Sequence, residues 1–335
     1  MKEVTFIRHN IDKWKSMELT LETVDTQSPD TLADLYTELT ADLAFAQTHY
    51  PSSRITLYLN NMAYALHGSI YKNKREKWSR LITFWTHEVP LTMYEARKYM
   101  LISLLVFLAG IAIGVISTMG DAEFPRIILG DNYVDMTLEN IRQGHPMAVY
   151  DGTPEDMMFF GITIHNVMVS FQIFAFGLLT CFGTGFFLLY NGIMVGAFET
   201  FFYQHELLGE SALAIFLHGT LELSAIVISG SAGFALGWGW LFPGTYSRGE
   251  SFRRGARQGL RIIVGVVPVF IVAGFIESII TRHTEIHDAI RLSIILCSLA
   301  FVLFYYIYLP KKRYLHANEQ TKSAALREER LRTEI

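Results

Sequence analysis

The sequence predicts an all-α fold: a polytopic membrane helix bundle of about six transmembrane helices, preceded by an N-terminal cytoplasmic helical region. Three observations predict it. The 335 residues are 51% hydrophobic and only 18% charged, whereas soluble domains carry about 25% charged residues. The apolar residues gather into blocks close to the ~20 that a helix needs to cross ~30 Å of hydrocarbon. Lys and Arg are bunched at the ends of particular blocks, the pattern that orients membrane helices.

Residues 1–95 read as a helical region outside the membrane. The opening MKEVTFIRHNIDKW lacks an apolar core and is not a cleavable signal peptide. Ser28 is placed as an N-cap with Pro29 at the first helical position. Leu32, Leu35, Leu39, Leu43 and Ala46 then form an apolar stripe that Pro51 stops. Further helices are expected over Arg54–Tyr71 and over Arg75–Glu88 ahead of Pro90. The region suits a small bundle, and a bundle of this kind can also dock a cytoplasmic partner.

Residues 96–310 hold the spans, expected at 99–119, 157–181, 184–203, 212–236, 260–280 and 289–309. The block 157–203 is too long for one span, and CFGTG (Cys181–Gly185) is taken as its break. Five or seven spans would follow if this break or the Trp238–Trp240 region is misread. Pro268 predicts a kink in the fifth span. Basic residues collect before span one (Lys72, Lys74, Arg75, Lys77, Arg80, Arg97, Lys98), after span four (Arg248, Arg253, Arg254, Arg257) and after span six (Lys311, Lys312, Arg313). The loop 120–156 carries eight acids against Arg126 and Arg142. One topology fits all of this: both termini cytoplasmic, with the acidic loop outside. The tail 311–335 is charged and read as solvated. Cys181 and Cys297 lie in apolar runs and imply neither a disulfide framework nor a metal site. No basic face suits nucleic acid.

The spans nonetheless carry polar groups: His165, Asn166 and Gln172, then Asn191 and Glu199, then His218 and Glu222, then Glu277. Such residues turn away from lipid and toward partners. In LHGTLELSA (Leu217–Ala225), His218 and Glu222 lie four positions apart, so they share one helix face. Counted by helical rise, the group crowds into the outer half of the bundle. Three readings stay open: a satisfied buried network; a proton or ion path through Glu222, Glu277 and Glu199; and a metal site seeded by His218 and Glu222 with His165 or Glu277 completing it. Two ligands at helical spacing are a weak metal signal, so no metal or other cofactor is expected. With no HExxH and no activated nucleophile, no enzyme is indicated. The GxxxG pairs Gly110/Gly114, Gly192/Gly196 and Gly233/Gly237 allow close helix approach, within the chain or between copies in a homo-oligomer.

The runs HNVMVSFQIFAFGLL, YNGIMVGAF, FLHGTLELSAIVISGSAGFALGWGWLFPG and FIESII resemble the stage II sporulation protein M family. RHNIDKWKSME and ADLAFAQTHYPSSRITLYLNNMAYALHGSIY resemble the cytoplasmic extension of its longer members. The resemblance implies a multi-pass protein of the bacterial inner membrane with no known enzymatic activity. It further implies a scaffold that holds envelope-remodelling proteins, and long-form partners such as a MoxR-type ATPase or an RDD-family membrane protein. By position, the family's polar motif falls on Asn166, Asn191, His218, Glu222 and Glu277.

Overall fold

A computed structural model describes residues 2–22, 29–71, 79–147, 155–281 and 286–319, which contain helices and no strand. The chain divides into two compact units, Met1–Lys77 and Trp78–Ile335.

In the first unit, helices α1 (Glu3–Glu22), α2 (Pro29–His49) and α3 (Arg54–Tyr71) enclose their own core. The sequence reading anticipated α2 and α3; α1 is an addition. Its stripe is Phe6, Trp14 and Met17, all buried. Trp14 lies at the centre, fully enclosed, and its indole N–H donates to Asp42 Oδ2 at 2.8 Å. Lys13 Nζ approaches the same oxygen at 2.6 Å. One carboxylate of α2 therefore satisfies both the buried indole and a charge on α1. The Ser28 cap, the basic residues Lys72, Lys74, Arg75 and Lys77, and most of the tail lie outside the described residues.

The second unit opens with α4 (Ser79–Thr83), a π turn (Phe84–Glu88) and α5 (Val89–Glu95). These residues, grouped with the N-terminal region by the sequence reading, pack into the bundle instead. Val89 and Met93 are buried in its core, and the Tyr305 hydroxyl donates to the Trp85 carbonyl at 2.6 Å. Pro90 does not stop the helix, because it occupies the first turn of α5, where its missing N–H has no partner to lose.

Next come α6 (Arg97–Gly120), the short α7 (Phe124–Leu129) and α8 (Asp131–Arg142). Arg126 ties α7 to α8 through Asp131 at 3.4 Å and Asp135 at 2.8 Å. Among the described residues, five helices are long and apolar enough to cross a membrane, and one of them, Glu155–Gln204, has 50 residues. At ~1.5 Å per residue it would reach roughly 75 Å, more than twice a bilayer core. It is not straight. Thr180 takes a left-handed φ of 70°, and Thr184 Oγ1 donates to the Ile173 carbonyl at 3.0 Å. A straight helix would hold residues with that sequence separation ~16 Å apart. The chain has doubled back into α9 (Glu155–Ala175) and α10 (Thr180–Gln204), so this stretch supplies two helices of the bundle. The reversal falls at Phe176–Thr180, just before the Gly-rich run expected to carry it; Gly183 instead lies inside α10, its open side against the Phe176 carbonyl.

Helix α11 (Leu208–Leu241) is central: every residue from Ala225 to Gly237 is buried. Helix α12 (Arg248–Phe275) continues into a π turn, Ile276–Thr281, and α13 (Asp288–Leu303) into another, Phe304–Tyr308. The basic run Ser247–Gly259, expected as a loop, forms the first turns of α12. Ser247 caps them, its hydroxyl accepting from the Glu250 N–H at 3.4 Å, and Glu250 holds Arg254 at 3.1 Å. Ser-x-x-Glu is a helix-start signature.

The small-residue pairs set the helix spacing. A Cβ on Gly110 would lie 2.5 Å from the Leu189 carbonyl and 3.0 Å from Gly192 Cα, and Gly192 and Gly196 face the Phe107 and Ile111 carbonyls. The two GxxxG motifs of α6 and α10 thus cross on each other, within one chain. Gly233 and Gly237 receive the α9–α10 reversal, a Cβ on Gly237 falling 2.7 Å from Cys181 N. All three pairs are occupied by intramolecular packing. We predict that Gly192→Val lowers the thermal unfolding midpoint of detergent-solubilised protein, on the order of 1–3 kcal/mol of overpacking. Gly120→Ala, with nothing within 4 Å of its Cβ position, should leave the midpoint unchanged.

Candidate functional site

The site forms where α9, α11 and α12 meet. His218 and Glu222 share a face of α11, as their spacing requires. The π turn at the end of α12 presents Glu277 and Thr281 to that face; π turns inside helices are frequent at functional sites. One ligand atom from each of His218, Glu222 and Glu277 lies within 4.8 Å of the others. His218 Nε2 stands 3.7 Å from Glu277 Oε1, and Nδ1 stands 3.1 Å from Thr281 Oγ1. The Thr281 hydroxyl donates to the Ile276 carbonyl at 3.3 Å. Nε2 is the ring nitrogen directed at Glu277. Asn166 of α9 lines the same cavity wall as Glu222.

Beside the triad is a cavity of about 340 Å³ lined by Gly161, His165, Asn166, Asn191, Glu222 and Glu277, with apolar walls including Val169, Val195 and Ile226. Gly161, His165 and Met194 are exposed and mark its opening on the flank between α9 and α10. Asn191 spends its amide N–H on the Phe187 carbonyl at 2.8 Å. Thr163 is set against Gly274 of α12, the close contact that brings α9 near the triad.

Of the residues singled out from sequence, the structure gathers His165, Asn166, Asn191, Glu222 and Glu277 around one cavity, with His218 directly behind its two carboxyls. Glu199 does not line it. Its Oε2 accepts from the Ser211 hydroxyl at 2.9 Å, and Ser211 is roughly 10 Å along α11 from His218. The six glycines set helix spacing and do not line it either. Thr281 and Ser211 escaped the sequence reading because hydroxyls are ordinary in membrane helices; the one signal for Thr281 was its four-residue offset from Glu277.

A bundle of apolar helices around a carboxylate–imidazole cluster defines a multi-pass integral membrane protein with a polar pocket inside it. The chain belongs to the stage II sporulation protein M family, whose model matches residues 103–282, a stretch that includes every cavity-lining residue named above. Residues 4–72 match a second family, described as Domain of unknown function (DUF8413). No curated protein and no solved structure matches the chain.

Ser211→Ala is predicted to destabilise the protein by about 1–3 kcal/mol, the cost of a stranded buried polar group, since Glu199 Oε1 already lacks a partner. Thermal unfolding in detergent would check this. Adding Glu199→Leu to Ser211→Ala, which removes the stranded carboxyl, should recover most of the loss.

Proposed function

We propose that this chain is an assembly component of the bacterial cytoplasmic membrane, coupling cytoplasmic partners to envelope proteins. The observation that carries this reading is that α11 is buried without interruption from Ala225 to Gly237. A rigid, closed bundle of this kind suits anchoring. The charge pattern supports a topology with both termini cytoplasmic: Arg97, Lys98, the start of α12 and Lys311–Arg313 are basic, and residues 120–156 are acidic. The first unit has its own core, as a docking module requires. On α3, Leu57 and Tyr64 are 62% and 80% exposed and two helical turns apart, an apolar pair free to bind a protein. By family analogy the candidate partners are a MoxR-type ATPase and an RDD-family membrane protein.

Affinity capture of the full chain from native membranes in mild detergent is expected to return defined partners in near-stoichiometric amounts. Leu57→Asp with Tyr64→Asp should abolish the cytoplasmic ones while the membrane unit stays intact. Return of no partner, under conditions that preserve other membrane complexes, would defeat the proposal.

The cavity favours a second reading, a proton- or ion-coupled transporter using Glu222 and Glu277, with Glu199 a level further along α10. Proteoliposomes would then show flux that Glu222→Gln abolishes. Flux no greater than that of empty vesicles removes this reading.

A further inference from the structure

We propose that His218, Glu222 and Glu277 seat a divalent first-row transition-metal cation within the membrane, with a water in the adjoining cavity as a further ligand. This goes beyond the assembly role and stands whether or not that role holds.

Four features converge on it. The first is distance. Bonds of about 2.0–2.2 Å from a metal to imidazole nitrogen and carboxylate oxygen span the 3.7 Å between His218 Nε2 and Glu277 Oε1 at an open angle. The common 4.8 Å limit over the three ligand atoms brings Glu222 in with a side-chain rotation.

The second is charge. Two carboxylates side by side in hydrocarbon repel, and an isolated buried charge is costly. A dication sums with them to zero, which relieves the repulsion at its source.

The third is orientation. Thr281 Oγ1 meets His218 Nδ1, which leaves Nε2 facing the Glu277 carboxyl. A cation between them makes that arrangement attractive. Metal-bound histidines are held in this way, through a hydrogen bond from the other ring nitrogen, and metal-bound carboxylates are likewise hydrogen-bonded. Asn166 lies on the cavity wall beside Glu222, where an amide can support that carboxyl.

The fourth is access. Glu222 and Glu277 both reach the cavity wall, so an open coordination position faces a space large enough for water. The mixed donor set selects the ion. Imidazole with carboxylates suits Zn²⁺, Mn²⁺ or Fe²⁺. It disfavours Ca²⁺, which takes six to eight oxygens, and Mg²⁺, which keeps most of its waters.

The test uses the full chain, carrying no histidine tag, in mild detergent. The protein is stripped with chelator, loaded separately with Zn²⁺ and Mn²⁺, desalted, and assayed by elemental mass spectrometry. A stoichiometric amount of at least one ion is expected, falling more than ~10-fold in Glu222→Gln and in Glu277→Gln. Thr281→Val, which only positions His218, should weaken binding by about 10–100-fold, an effect that loss of a mere packing contact would not produce. Retention below a tenth of stoichiometric for both ions overturns the proposal, and so does equal retention by the two Gln variants. Should the variants fail to fold, Co²⁺ added to the wild-type chain supplies the decision. Visible d–d bands displaced by Zn²⁺ support the site, and a spectrum equal to that of free Co²⁺ rejects it.

Discussion

The structure rests on how closely helix backbones can approach one another in a medium that offers no hydrophobic force between them. Lipid tails are as apolar as leucine, so membrane helices associate through packing and hydrogen bonds. Here the packing runs through glycine: Gly110 and Gly114 on Gly192 and Gly196, Gly177 on Gly233, Gly255 on the Ala235 carbonyl, Gly265 on Val89. At the α6–α11 crossing, Ser103 donates to the Val227 carbonyl at 2.6 Å, and any Cβ on Gly230 would collide with that serine. Close approach and polar satisfaction coincide at one point.

That constraint also explains where the cavity lies. From Ser229 to Gly237 the centre of the bundle carries Ser229, Gly230, Ser231, Ala232, Gly233, Ala235 and Gly237, and neighbouring helices approach it closely. Before that stretch α11 carries Glu222, Leu223 and His218, too bulky and too polar for the same approach. There the helices stay apart, and the space between them is lined by Asn166, Asn191 and the carboxyls. The polar pocket lies where α11 carries its ionisable side chains, and the close crossings lie where it carries Gly230, Gly233 and Gly237.

Much of this was legible. The His218–Glu222 face follows from spacing alone, and Glu277 joins it because depth along a span can be counted. Azimuth cannot be counted without the helix packing. Glu199 therefore looked like a member of the group, although it sits at the level of Ser211, whose hydroxyl donates to its Oε2. The reversal between α9 and α10 was placed at the glycines of CFGTG, but Thr180 turns the chain with a strained φ, while those glycines serve close packing. Helix α1 was missed because its apolar stripe is sparse; what completes it is tertiary, the Trp14–Asp42 bond to α2. Residues 79–95 were grouped with the N-terminal region because they precede the first long apolar block, yet Val89 and Met93 sit fully buried against the bundle.

If the pocket moves a solute, the same packing limits how. Rocking α11 against its neighbours would break backbone contacts along thirteen consecutive buried residues, Ala225–Gly237, and packed cores switch between discrete arrangements rather than stretch. Helix α9 is under no such restraint on its outer turns: Gly161, Ile164, His165 and Met168 are exposed there, and its hold on α12 at that level is Thr163 against Gly274. Its lower end is fixed by the reversal at Thr180. An α9 pivoting on that reversal would widen the flank opening and carry Asn166 away from Glu222 without disturbing the α6–α10 crossing. The cavity therefore opens beside the exposed turns of α9, apart from the close glycine crossing of α6 and α10.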